Sequence, residues 1–192
     1  MNKFLIYFAR FGFLALIGFE TLNWAGVLSF TLDFSWLGLI GTAFLVWLAL
    51  EIYHYFYQSL PGFVYLTALT GVTLDAFSDI FGFYSQIMWW DRCMHFTEGA
   101  IAAILIISIF KKSAFHTILI VSFLGFLYEC WEFLIDKFYF GFPKALGDGP
   151  DTVEDMFLNI AGAAFIILAV KITQKFIKKQ KEKHGRNSGE NF

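Results

Sequence analysis

Asp91, His95 and Glu98 are spaced i, i+4, i+7 in the stretch WWDRCMHFTEGA. On a helix that spacing puts all three on one stripe. Similar stripes recur. Asp75 and Asp79 are one turn apart. Glu129, Glu132 and Asp136 follow i, i+3, i+7. Asp151, Asp155 and Asn159 follow i, i+4, i+8, just after Gly147-Asp148-Gly149. Carboxylates brought together repel one another unless some hold protons or a cation sits among them. Oxygen ligands with one imidazole suit a hard or borderline divalent metal. The expected ligands are Asp91, His95, Glu98, Glu129, Glu132, Asp151 and Asp155, with Asp75, Asp79, Asp148 and Asn159 as further candidates. In a hydrolytic site the metal would polarise a phosphoryl oxygen and activate water, His95 and Asp91 would take part directly, and Arg92 would hold a phosphate oxygen. The metal's identity stays open, and shared protons are the alternative to it.

The elements that must position these residues are apolar. The chain has 192 residues, of which 58% are hydrophobic and 16% charged, with 26 Phe. Its mean hydropathy is +0.62. Apolar runs near or above about 18 residues recur, long enough to cross a hydrocarbon core of about 30 Å. They do not alternate as barrel strands do. The expected fold is an all-α, polytopic transmembrane bundle of six spans, near residues 8–30, 35–54, 62–83, 92–110, 115–136 and 153–174, with the first able to start earlier, near Lys3. Residues 1–176 form the membrane domain, and 177–192 read as a charged, disordered tail. Lys3 and the apolar stretch after it look like a signal peptide. Arg10 interrupts that stretch and no Ala-x-Ala site follows, so an uncleaved first helix is expected. Two Cys, Cys93 and Cys130, are too few for a disulfide framework and read as small buried residues.

Charge sets the expected orientation. With both termini cytoplasmic, only Arg92, Lys137 and Lys144 of the 14 basic residues fall outside, which is the positive-inside bias. The acids do the reverse: of 16, only Glu51, Glu182 and Glu190 fall inside. The four stripes therefore converge at the outer face. Intramembrane charges facing lipid cost a few kcal/mol, so each stripe should face the bundle interior.

Simpler readings compete with a site. Asp91 opens a span and fits an N-cap, as does Asp151. A single His in a helix is often just a hydrogen-bonded core group. Asp148, Asp151 and Glu154 lie in or near a loop, where charge is usually solvated. Asp136 and Lys137 fit interface residues, and Trp89 and Trp90 fit an aromatic belt. Capping leaves His95 and Glu98, one and two turns deeper, without an explanation. Ala161, Gly162, Ala163 and Ala164 would let the last span approach a neighbour closely.

The blocks WDRCMHFTEG, YECWE and GDGPDTVEDMFLNIAGA resemble the YjdF-like family of uncharacterised bacterial inner-membrane proteins, over roughly residues 60–170. A weaker similarity is to VanZ-like membrane proteins, although this chain lacks an Arg just before its last Asp block. The resemblance implies a multi-pass helical protein of the bacterial inner membrane and brings no established reaction. The function expected from the residues is a metal-dependent hydrolase of a lipid or lipid-linked phosphate, in contact with membrane lipids and with no nucleic-acid partner. The alternatives are a small transporter or permease with a carboxylate relay and a non-catalytic membrane binding protein.

Overall fold

The computed structural model describes residues 2–30, 35–57, 60–141 and 149–189. Asp148 lies outside the described residues. Seven α-helices follow in chain order: α1 (Asn2–Trp24), α2 (Trp36–Phe56), α3 (Gly62–Ile80), the one-turn α4 (Phe83–Gln86), α5 (Trp90–Phe110), α6 (Ala114–Ile135) and α7 (Gly149–Gly189). No strand occurs among the described residues. Six of the helices are long and apolar enough to cross a membrane, as the sequence predicts. The first begins at Asn2, in keeping with the earlier start near Lys3, with Arg10 inside the helix, and it ends at Trp24 instead of residue 30.

Local chemistry sets the boundaries. Ser35 caps α2 by accepting from the Gly38 N–H at 3.4 Å, and Ser113 caps α6 at the His116 N–H. Each satisfies an amide that the first helical turn leaves without a partner. Gly82, at φ 64, takes the left-handed turn that ends α3 and starts α4, a backbone region that costs other residues more. At the end of α6 the helix widens into a π turn, Asp136–Phe140, which closes with the Gly141 N–H on the Asp136 carbonyl at 2.7 Å. Asp136 is buried there, unlike the interface residue expected from sequence. The last helix does not stop at the membrane end of its apolar run. It continues to Gly189 through the stretch read from sequence as a disordered tail.

The bundle has two halves. The first packs α1, α2 and α3 around Phe13, Ala43, Val64, Tyr65 and Ala68. The second packs α5, α6 and α7 around Ala103, Ile106, Val121 and Ala163. The halves join where α3 meets α5, partly through the Ser78 hydroxyl on the Met94 sulfur at 3.7 Å. On the other side of this seam α2 meets α6 near Gly38 and Gly41 and α5 at Tyr53, and between these contacts a gap remains.

Within the second half, α5 and α7 form the most extensive interface. Lipid tails are as apolar as Leu, so burial alone does not hold helices together in a bilayer; close backbone packing does. Here it is closest at two glycines. A Cβ on Gly99 would overlap the Asn159 carbonyl, and one on Gly162 would overlap the Phe96 carbonyl. The small-residue run after Asn159 thus makes the close approach its composition suggests.

Candidate functional site

The acidic stripes meet at one end of the bundle. α3 and α6 end there, and α2, α5 and α7 begin there. A narrow cavity of about 60 Å³ opens among them, lined by Asp75, Asp79, Asp91, His95, Glu98 and Glu132 together with Tyr84, Tyr128 and Ser35. A water molecule needs about 10–15 Å³, so the cavity has room for an ion and a few waters.

The tightest cluster is Asp91, His95 and Asp155, whose ligand atoms all lie within 4.8 Å of one another. α5 supplies the first two, one turn apart, and α7 supplies the third across the glycine contact. His95 Nε2 stands 3.6 Å from Asp91 Oδ1 and 3.6 Å from Asp155 Oδ2. Hydrogen bonds of this kind are shorter, about 2.7–3.2 Å. Ligands held at about 2.0–2.2 Å on one tetrahedral ion stand about 3.3–3.6 Å apart. The two separations are too long for hydrogen bonds, within reach of ion pairs and compatible with the edge of such a coordination sphere, and the three ligand atoms as a set lie within 4.8 Å. His95 and Asp155 are buried, at 5% and 4% exposure, and Asp155 Oδ1 has no hydrogen-bond partner among the described residues.

The other side of the His95 ring is held as well. Its Nδ1 lies 3.4 Å from the Asn159 amide, one turn beyond Asp155 on α7. The atom on Nδ1 is the Asn159 amide nitrogen, which donates, so Nδ1 accepts and the Nε2–H faces the two carboxylates; a ligand role for Nε2 requires the amide to turn its oxygen to the ring. Gly125 on α6 makes room for that amide, since a Cβ there would come within 3.3 Å of it. Tyr128 packs edge-on against the imidazole, with centroids 6.2 Å apart.

The remaining expected residues fall into three groups. Asp75, Asp79, Glu98 and Glu132 line the cavity beside Asp91 and His95. Glu129 is buried next to Thr152, and Asp151 is within electrostatic range of Asp91 and Asp155, so both border the cluster without lining the cavity. Arg92 points elsewhere: its guanidinium makes a two-point pair with Glu154 at 2.7 and 2.9 Å on an exposed surface. Holding a phosphate oxygen would require that pair to open. Glu154 is therefore a partner of Arg92 and not a freely solvated loop charge.

Four contributors have no stripe in the sequence. Tyr84, on the single turn of α4, donates its hydroxyl to Asp75 Oδ1 at 2.9 Å. Burial, reinforced by the Asp75 and Glu98 carboxylates, pushes the Tyr84 phenol well above its ordinary range, so it remains a donor. Trp131 and Tyr128 complete the wall on α6. Glu20, on α1, is almost fully buried and within electrostatic range of Asp75. Only Gly82, as a turn signal, marks α4 in the sequence.

No curated protein and no solved structure matches the chain. A family model matches residues 11–175, which takes in four of the six long helices whole, most of α1 and α7, and every member of the cluster. The chain belongs to the family described as "Predicted membrane protein (DUF2238)" and is a multi-pass membrane protein.

Proposed function

We propose that this protein is a membrane-embedded, divalent-metal-dependent hydrolase that acts on a phosphate ester of a lipid or lipid-linked molecule, at the outer face of a bacterial inner membrane. The reading rests on one observation: His95 Nε2 stands 3.6 Å from a carboxylate oxygen of Asp91 and of Asp155. Three protein ligands suit a catalytic ion, which keeps a position open, better than a structural one, which takes four. A divalent ion there would supply Lewis acidity to a phosphoryl oxygen and lower the pKa of bound water.

The chain's own groups have separate roles in that reading. Asp91, His95 and Asp155 hold the ion. Asn159, with its amide turned so that the oxygen accepts from Nδ1–H, would hold the imidazole tautomer the ion needs, as outer partners of metal-bound histidines usually do. Glu98 and Glu132 are within the same cavity and take the proton. The oxygen of water forms the new bond to phosphorus while the bond to the ester oxygen breaks. The water proton passes to Glu98, and a proton returned to the leaving oxygen gives the free alcohol. Tyr84 donates to Asp75 and keeps that carboxylate facing the cavity.

A carboxylate relay through the membrane has weaker support. Below the acidic end the space between helices is walled by Val46, Leu50, Ala68, Val72 and Leu105, where a proton path would need polar groups. The decisive experiment is metal analysis of purified protein. About one divalent ion per chain is expected, with loss in His95→Ala and Asp155→Asn variants that remain folded, together with release of phosphate from an alkyl phosphate. A metal-free wild-type protein whose stability does not change in chelator overturns the reading. Metal without turnover would make it a binding protein.

A further inference from the structure

The gap between the two halves of the bundle is a second cavity, of about 520 Å³. That lies within the range of ligand pockets, about 300–1,000 Å³. It shares Thr42, Asp75, Glu98 and Tyr128 with the acidic cavity, so the two adjoin at these residues. From Glu98 the lining descends α5 through Ile101, Leu105 and Ile109 to Phe110. At about 1.5 Å per residue this run is about 16–18 Å long, close to half of a hydrocarbon core of about 30 Å. At the far end the Tyr53 hydroxyl donates to the Ile109 carbonyl at 3.3 Å and joins α2 to α5, with Phe110 edge-on to the Tyr53 ring. The chamber therefore has an acidic mouth, an apolar shaft one leaflet deep and a floor.

We propose that this chamber holds a single hydrocarbon chain of an amphiphile whose headgroup sits at the Asp75–Glu98 mouth. The chemistry of the lining selects this occupant. A polar solute gains nothing from the shaft, and a water-soluble phosphate has no use for it. A bilayer chain of one leaflet matches its length, and each buried CH₂ contributes about 0.8 kcal/mol. The assignment of a phosphate headgroup rests on the hydrolase reading; the assignment of a chain to the shaft does not.

The test fills the shaft from α2. Ala49 lines it and is exposed to the gap, whereas Leu48 beside it does not line it. Binding is measured on whole protein in lipid-free amphipol with two probes: dodecyl phosphate in the presence of Mn²⁺, and dodecyltrimethylammonium without metal. Ala49→Trp should weaken both by at least about ten-fold, while Leu48→Trp binds like wild type. Leu45→Trp, which enters the same shaft, repeats the measurement if Ala49→Trp does not fold. Unchanged affinity for both probes in a folded shaft variant overturns the proposal. If wild type binds only the ammonium probe and the shaft variants lose it, the chamber assignment stands and the metal–phosphate reading fails.

Discussion

At the scale of single residues, Asn159 decides whether the imidazole can serve as a ligand. A neutral histidine offers one lone pair, and the group on its other nitrogen sets which one. The Asn159 amide nitrogen lies on Nδ1 at 3.4 Å and the carboxylates face Nε2, so ligation through Nε2 goes with a turn of that amide. Asn159→Ala should keep the fold, because the change only enlarges the space Gly125 provides, yet weaken divalent-metal affinity about 10–100-fold. Isothermal titration with Mn²⁺ or Zn²⁺ checks this, and affinity equal to wild type would reduce Asn159 to a packing residue. The i, i+4 and i+8 spacings make Asp91, His95, Asp155 and Asn159 readable in the sequence. Arg92 and Glu154 are not readable as a pair, because they lie on different helices and only the α5–α7 register brings them together. The same is true of Arg10, which makes a two-point pair with Glu51 at 2.7 and 2.6 Å at the opposite end of the bundle. In the sequence both were only topology charges; in the bundle each neutralises the other where an unpaired charge would be costly.

At the scale of elements, the site depends on how closely α5 and α7 approach. Asp155 reaches His95 only because Gly99 and Gly162 let the two backbones touch. Replacing Gly162 with Leu puts side-chain atoms where the Phe96 carbonyl already stands, and the Phe96 backbone belongs to the helix carrying His95. The helices must then separate. Overpacking of this kind costs about 1–3 kcal/mol, so a Tm lower by several degrees is expected, together with loss of bound metal. Gly18→Leu on α1, where a Cβ meets nothing within 4 Å, should change neither. Retention of full metal content by Gly162→Leu would show that the cluster does not need this contact. Hydropathy made the six long helices legible, since length and apolarity alone define a span. It could not supply α4: four residues opened by a glycine turn carry no periodicity, yet Tyr84 reaches the site from there. The π turn after α6 is equally invisible, because it arises from how Asp136 is buried and not from composition.

At the scale of the whole molecule, the six spans place all four stripes at the same end, and which side of the membrane that end faces determines what can reach them. The helix that carries Asp155 continues far beyond the bundle. Its 41 residues extend about 60 Å at 1.5 Å each, twice the hydrocarbon core, so its second half, with Lys171, Lys175, Lys178, Lys179 and Lys181, stands clear of the apolar region. Residues such as Lys, Gln and Glu propagate a helix readily once a membrane segment has nucleated it, which is why a stretch without apolar periodicity is helical. Lys111 and Lys112 lie at the same end as these lysines, since α5 and α7 run from the acidic end. On the positive-inside rule the lysines are expected in the cytoplasm and the acidic cluster outside. Single cysteines in a background lacking Cys93 and Cys130 test this directly. Met88, beside the acidic end and 88% exposed, should as Met88→Cys react with a membrane-impermeant maleimide on intact cells. Lys112→Cys should react only after the membrane is opened. The reverse pattern would turn the acidic cavity toward the cytoplasm. It would leave the metal cluster intact but exclude a substrate delivered from the outer leaflet, so orientation tests the substrate assignment without testing the ligands.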